Sequence, residues 1–345
     1  MAEKVYVGVS GGVDSSVAAL LLKEQGFDVT GFTLFLTDDA DTASAAQVCG
    51  QIGIPHEIID FRKEFEEFVT KPFLEIYSRG LTPNPCILCN KNIKFGKAVN
   101  YISGRADYIA TGHYASVIRD VSSGRLTFKK SVDISKDQTY MFWTLTQQQI
   151  EKIKMPLGGY TKPQVREIAA RFGLSAANSP DSQDICFLKD TSIKDYLHKN
   201  MPTALKSGDI VDPDGNILGR HSGIAGYTLG QRKGLGVASD GKKYVVGLDA
   251  EKNQVVLGDN SLLFAKKLIA ENQNFLTMEK LTSPIEVEAK IRYAAKPSKA
   301  VVYPYGDKIS VEFSQPQRAI TPGQSVVFYN GDILVGGGEI VRAEQ

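Results

Sequence analysis

Two sets of residues have the types and spacing to do chemistry. The first is the run Ser10-Gly11-Gly12-Val13-Asp14-Ser15-Ser16, which follows the apolar stretch Val5 to Val9. A strand, a tight glycine turn and a helix N-terminus make an anion site. The glycines let the backbone approach the ligand, and the free N–H groups and the helix dipole face negative charge. The turn is not a Walker A loop, because no G-x-x-x-x-G-K-[ST] occurs and no lysine follows. Glycine pairs and Asp or Ser caps also occur in ordinary strand–helix turns. A preceding strand and a following helix favour nucleotide binding. The second set is Cys86 and Cys89 in TPNPCILCNKNIKFG, with Cys186 downstream in DSQDICF. Thiols at C-x-x-C spacing reach each other or a shared ion. Structural zinc usually takes four ligands, and three cysteines stand in suitable loops. Cys49 lies among alanines on an expected helix and reads as a buried, inert thiol. A cysteine pair, a third loop cysteine and a phosphate-binding turn together point to sulfur or redox chemistry.

Alternating strands and helices must position these groups. After the first helix, which stops at Gly26, Val29 to Leu36 reads as a strand, Ala43 to Gly50 as a helix and Pro55 to Phe61 as a strand. Lys63 to Arg79 reads as an amphipathic helix, and Asp107 to Thr111 as a strand ending in Gly112-His113-Tyr114. The two prolines around Asn84 predict a rigid, extended loop through the cysteines, with a helix from Ile93 to Ile102. This alternation predicts an α/β fold with a doubly wound parallel sheet. Ligands of such sheets sit at the carboxyl ends of the strands, so the motifs converge on one rim. A hairpin is expected over Ser116 to Lys130, turning at Ser122-Ser123-Gly124. Helices are expected over Thr146 to Lys152, Lys162 to Phe172 and Thr191 to Asn200. A polar loop over Asn178 to Asp184 and a linker over Pro202 to Ser207 complete this part. Beyond Gly208 come short strands and turns, then an all-β region from about Lys267 that predicts a small closed barrel.

The chain of 345 residues suits two or three domains, assigned as residues 1–205, 206–266 and 267–345. A net charge of +1 neither requires nor excludes a nucleic-acid partner. No apolar run spans a bilayer, and the N-terminus enters a strand without a signal-peptide layout. Four cysteines do not form a secreted disulfide framework. A cytoplasmic protein without a membrane partner is expected.

The glycine turn resembles the S-G-G-x-D-S signature of the PP-loop ATP pyrophosphatases, a Rossmann-like superfamily that splits ATP between the α and β phosphates. Further motifs narrow the resemblance. They are GVSGGVDSS from Gly8, TPNP-x-x-x-CNK-x-IKF from Thr82, ATGHYA from Ala110, KDQTY from Lys136 and DICF from Asp184. GYTLGQRKGLGV from Gly226, Arg292-Tyr293 and TPGQS-x-V-x-YNG from Thr321 complete the set. From end to end the chain resembles the bacterial tRNA-specific 2-thiouridylase family.

That resemblance implies a PP-loop domain, a small central domain and a C-terminal β-barrel. It implies a tRNA-uridine sulfurtransferase that uses ATP and Mg2+ to place sulfur on C2 of uridine 34 in tRNAs for Lys, Glu and Gln. By resemblance Gly8, Val9, Ser10, Gly11, Gly12, Val13, Asp14 and Ser15 bind ATP, with Leu34 and Gly112 on the adenosine side. Leu34 replaces a methionine, a small change for an apolar contact. Asn84, Pro85 and Cys86 would lie against the target base. His113, Lys136, Asp137, Gln138, Arg292, Tyr293 and Gln324 would contact tRNA. Cys186 would carry a persulfide, and Cys89 would be its partner, either as nucleophile or as resolving thiol, and could close a disulfide with it. A cysteine desulfurase or relay protein would donate the sulfur, and the enzyme would act as a monomer.

The chemistry needs these parts, because adenylation turns a poor leaving oxygen into AMP and a persulfide is a strong nucleophile. The base must leave its stack to reach them. One departure matters: Cys86 stands where the best-known members carry an aspartate, a candidate general base. Cys86, Cys89 and Cys186 could then hold a [4Fe–4S] cluster with one open iron, so a persulfide and a cluster route both remain open. Lys129, Lys130, Lys136, Arg232 and Lys233 suit phosphate contacts or a solvated face. The rivals are another PP-loop synthetase or a tRNA lysidine synthase-like enzyme, and a non-enzymatic RNA-binding or sulfur-carrier protein.

Overall fold

The computed structural model describes residues 2–179, 185–189, 191–202, 205–237 and 241–344. The expected polar loop at 178–184 and linker at 202–207 fall partly outside the described residues, as does Asp184 of the DICF motif. Near the N-terminus, β1 (Lys4–Gly8), β2 (Asp28–Phe35), β3 (His56–Asp60) and β4 (Tyr108–Ala110) pair in parallel in the order β3-β2-β1-β4. The order reverses between β1 and β4. Such a switch point opens a crevice at the strand ends, and the glycine turn and Gly112-His113-Tyr114 both emerge there.

Both faces of this sheet are covered, and its central strand β1 buries Val5 and Val7 completely. On one face α1 (Val13–Glu24), α2 (Thr42–Ile52) and the helix Lys162–Arg171 bury Val17, Val48 and Val165 against Val5 and Val7. On the other, Ile87, Ile93 and Phe95 pack with Phe32, Ile59 and Ile109. Cys49 is fully buried on α2, as its alanine-rich context predicted.

The chain around the cysteines differs from the expected extended loop. A continuous helix runs from Pro85 to Ile102 (residues 85–102), wound as a π-helix over Asn90–Lys97. Pro85 occupies its first turn, where the missing N–H costs nothing and the fixed φ suits a helix. Asn84 caps it, its Oδ1 accepting from the Ile87 N–H at 3.3 Å. The second proline therefore starts the helix instead of prolonging the loop.

The expected hairpin is present as β5 (Ala115–Arg119) and β6 (Leu126–Lys130). It leaves the first sheet, whose last strand is the short β7 (Ile153–Lys154) beside β4. A separate four-stranded sheet follows, made of β8 (Gly208–Val211), β9 (Ile217–His221), β10 (Tyr244–Asp249) and β11 (Gln254–Gly258). The remaining strands are β12 (Phe264–Phe275), β13 (Ile285–Lys290), β14 (Ser298–Tyr305), β15 (Lys308–Arg318), β16 (Ser325–Asn330) and β17 (Ile333–Glu344). They run in the order β12-β15-β14-β13-β16-β17, and β12–β17 pairing closes the expected barrel. The hairpin then extends the barrel sheet, with Ile333 of β17 opposite Lys129 of β6. Val327, Tyr329 and Leu334 of the barrel share one core with Phe128, Phe142 and Trp143. The barrel is thus packed directly onto the first unit.

Candidate active site

The glycine turn is built for close approach. Gly11 has φ +80, a left-handed conformation that glycine adopts without strain. Gly12 is the N-cap of α1 and has no side chain to occupy the first N–H groups of the helix. The two motif serines shape the turn. Ser15 Oγ donates to Gly12 O at 3.0 Å and accepts from the Ser10 N–H at 3.1 Å. Ser16 Oγ donates to Gly12 O at 2.8 Å. The Asp14 carboxylate accepts from Lys162 Nζ, at 2.7 Å to both oxygens, and from the Tyr114 hydroxyl at 2.7 Å.

The tripeptide Gly112-His113-Tyr114 joins the glycine turn to the cysteine helix. A Cβ on Gly112 would lie 2.6 Å from Ser15 N and 2.7 Å from Asp14 C, so only glycine lets β4 end against the start of α1. His113 Nδ1 is 2.7 Å from Thr111 Oγ1, and its ring meets Phe142 edge-on at 5.2 Å. Burial and the nearby Lys94 cation hold the imidazole well below its ordinary pKa, so it is neutral at pH 7. Leu34, half-buried at the end of β2, packs on the core of the same sheet face.

Cys86, Cys89 and Cys186 lie within one another's electrostatic reach, and Lys94 acts on all three. Cys86 and Cys89 are one turn apart on the helix. Cys89 is only 7% exposed, and burial pushes its thiol up to about 12, against the opposing field of Lys94. Cys86 is half-buried and Cys186 is exposed. Desolvation raises both thiols, with Lys94 pulling the other way. All four cysteines are free thiols. Phe187, beside Cys186, anchors it through edge contacts to Phe73 at 5.1 Å and Phe65 at 5.8 Å. Among the described residues no three His, Cys, Asp or Glu side chains come together as a metal ion requires. The three cysteines are neighbours without forming a ligand set.

The remaining sequence-predicted residues cluster where the barrel meets the first unit. Asp137 is buried, its carboxylate accepting from Thr139 Oγ1 at 2.8 Å and from the Ser131 N–H at 3.2 Å. Gln138 Oε1 accepts from the Tyr114 N–H at 2.9 Å. Lys136, half-buried, closes a short 3-10 turn. The Tyr293 hydroxyl donates to Asp137 O at 3.1 Å, and Arg292 donates to Ala319 O and Thr321 Oγ1. Gln324 donates to the backbone of Thr82 and Pro83. Lys94, Phe187 and Lys162 are residues that sequence reasoning did not single out. The first two stand inside quoted motifs, IKF and DICF. Lys162 carries no local signal, because its partner Asp14 is distant in the chain.

The sequence family described as tRNA methyl transferase HUP domain matches residues 3–190. Those described as tRNA methyl transferase PRC-barrel domain and aminomethyltransferase beta-barrel domain match residues 194–259 and 265–340. The chain is also similar to curated proteins named tRNA-specific 2-thiouridylase MnmA. That of Clostridioides difficile is 48% identical over 360 residues, covering 99% of each chain. That of Clostridium acetobutylicum is 48% identical over 356 residues, covering 99% of this chain and 100% of the other. That of Acetivibrio thermocellus is 48% identical over 355 residues, covering 98% and 99%.

Proposed function

The chain belongs to the tRNA-specific 2-thiouridylase family, and on that premise we propose that it thiolates C2 of uridine 34 in tRNAs for Lys, Glu and Gln through an adenylated base and a persulfide on Cys186. It is a tRNA-uridine sulfurtransferase with a PP-loop unit. The observation that carries the finer reading is the link made by Gly112-His113-Tyr114. Its first residue touches the anion turn, its second lies beside Lys94 of the cysteine helix, and its third holds Asp14. Phosphate chemistry and thiol chemistry therefore share one rim.

ATP, with its magnesium ion, enters as substrate. The uridine C2 oxygen attacks the α-phosphorus, pyrophosphate leaves and the N3 proton is lost. The first N–H groups of α1 and the Lys162 ammonium can take up the phosphate charge. A cysteine desulfurase or relay protein loads Cys186, whose exposure suits it to receive sulfur. The terminal persulfide sulfur then attacks C2 and AMP departs. Cys89 next attacks the Cys186 sulfur. The bond to the transferred sulfur breaks, 2-thiouridine leaves, and a Cys89–Cys186 disulfide remains for an external thiol to reduce. Buried and protonated in this structure, Cys89 must be uncovered before that step. Cys86, in the first turn of its helix, faces a shared field with Cys186 and Tyr293. With Asn84 and Pro85 it is proposed to meet the base, while Lys136, Arg292 and Tyr293 flank the tRNA path. No step is routed through an iron–sulfur cluster, since Cys86, Cys89 and Cys186 form no ligand set here.

The test uses metal-free protein, ATP, magnesium, a persulfide donor and unmodified glutamate tRNA, with nucleosides read by mass. Thiouridine with one AMP and one pyrophosphate per event is expected. Thiouridine formed only after reconstitution with iron and sulfide would overturn the persulfide route. ADP as product would overturn the adenylation step.

A further inference from the structure

The barrel grips the chain immediately before the cysteine helix. Gln324 Nε2 donates to Thr82 O at 3.0 Å and to Pro83 O at 3.1 Å. The Thr82 N–H donates to Pro322 O at 3.0 Å. Gly323 has φ +86, and a Cβ there would sit 3.0 Å from both Thr82 N and Thr82 O, so the two backbones touch. The turn itself is held from behind. Arg292 donates to Ala319 O and to Thr321 Oγ1, and Thr321 Oγ1 donates to Ala319 O at 2.9 Å.

The gripped segment, Thr82-Pro83-Asn84-Pro85, is poor in hydrogen-bonding groups of its own. Two of its four residues lack an N–H, and the Thr82 N–H is committed to the barrel. Asn84, next in the chain, caps the helix that carries Cys86 and Cys89. A shift of this segment would therefore move the helix start and both thiols. The donor count of Gln324 is equally informative. A carboxamide nitrogen carries two hydrogens, and both point at backbone carbonyls. What remains is the amide oxygen, an acceptor, whereas a phosphate offers only acceptors.

We infer that Gln324 is a positioning residue for Cys86 and Cys89, and that the turn Thr321–Gln324 sets where the cysteine helix begins. This inference rests on the thiolation reading for its activity readout only. It assigns the barrel a part in the chemistry besides holding RNA. The same contacts commit both N–H groups of Gln324 to the protein, so a tRNA contact at this residue would fall to its amide oxygen.

The test is Gln324→Met in the full chain, which keeps the side-chain length and removes both donors, with Gln324→Ala as a second variant. Three quantities are measured: the tRNA Kd, kcat at saturating tRNA, and the iodoacetamide labelling rate of Cys86 and Cys89 resolved by mass. The expected result is a Kd within about twofold of wild type and a kcat lowered by roughly tenfold or more, the scale of loss that misplacing a catalytic group brings. Labelling of Cys89 should rise severalfold. A Kd weakened with kcat intact would make Gln324 a tRNA contact and overturn the inference. Unchanged kcat and unchanged labelling would overturn it too. If wild-type protein makes no thiouridine, the functional reading fails, while the labelling comparison still decides the positioning role.

Discussion

Lys162 Nζ sits 2.7 Å from both carboxylate oxygens of Asp14, although 148 residues separate the two in sequence. The lysine side chain is 9% exposed and the aspartate side chain 33%. The pair ties the helix Lys162–Arg171 to the glycine turn and places a cation beside the proposed phosphate site. Removing the cation leaves a carboxylate facing that site with only the Tyr114 hydroxyl to help it. For Lys162→Met we expect a stability loss of about 1–3 kcal/mol, below the range for a fully buried pair because Asp14 is partly solvated. We expect kcat/KM for ATP to fall roughly 100-fold, the usual cost of one preorganised donor. The double variant Asp14→Asn/Lys162→Met should regain much of the stability and none of the activity. Wild-type ATP kinetics in Lys162→Met would show that the pair is structural only.

Gly112 offers a second way to disturb the same turn. A methyl group at this position would meet the backbone of Asp14 and Ser15 at 2.6–2.9 Å, and backbone cannot rotate aside as a side chain does. Gly112→Ala should therefore push β4 off the start of α1. The expected loss is about 2–3 kcal/mol, as for overpacking in a core, with a raised KM for ATP. Calorimetry and ATP titration check it. By contrast, Gly159→Ala has nothing within 4 Å of its added Cβ and should be close to silent. Equal losses from both substitutions would refute the steric argument.

The parts legible in the sequence were those carried by local pattern. The strand–turn–helix at Gly8 to Ser16, the buried Cys49 and the barrel strands all follow from periodicity and turn residues. What escaped were relationships across the fold. Pro83 and Pro85 together suggest an extended loop, yet a proline is equally at home in the first turn of a helix, and only packing of Ile87 and Ile93 under the sheet decides between them. The Asp14–Lys162 pair leaves no local trace. Nor do the internal hydrogen bonds of Asp137 and Gln324, since a polar residue in a motif does not reveal its partners within the fold.

The thiols yield a prediction about alkaline pH. Cys49 is raised by burial from 9.0 to about 11, and Cys89 to about 12. In the unfolded chain both ionise near 9, while in the folded protein they stay protonated. Above pH 9 the folded state thus binds more protons, and stability falls as pH rises. For Cys49 alone the loss should reach about 2–3 kcal/mol by pH 11, at 1.36 kcal/mol per unit. Cys49→Ala should flatten that part of the curve, with any cavity cost appearing equally at pH 7. Urea midpoints at pH 7, 9 and 10.5 measure it. A parallel offset between the two proteins at every pH would rule out Cys49 as a source.

Phe187 bears on how the exposed Cys186 is held. Its ring lies 5.1 Å from Phe73, 5.3 Å from Tyr196 and 5.8 Å from Phe65, an aromatic group beside the cysteine segment. Residue 187 is only half-buried, so the contacts matter more for placing the neighbouring thiol than for global stability. Phe187→Ala should cost about 1–2 kcal/mol, less than truncation of a fully buried ring. Thiouridine formation should fall much further than stability does, because the proposed sulfur transfer has Cys186 meet both the base and Cys89. Phe187→Leu should retain part of the anchor and recover part of the rate. The decisive readout is the yield of the Cys89–Cys186 disulfide under mild oxidation. A placed thiol closes it readily, and Phe187→Ala should lower that yield while leaving alkylation of the exposed Cys186 unchanged or faster. Undiminished disulfide yield would mean that the ring packs beside the site without positioning it.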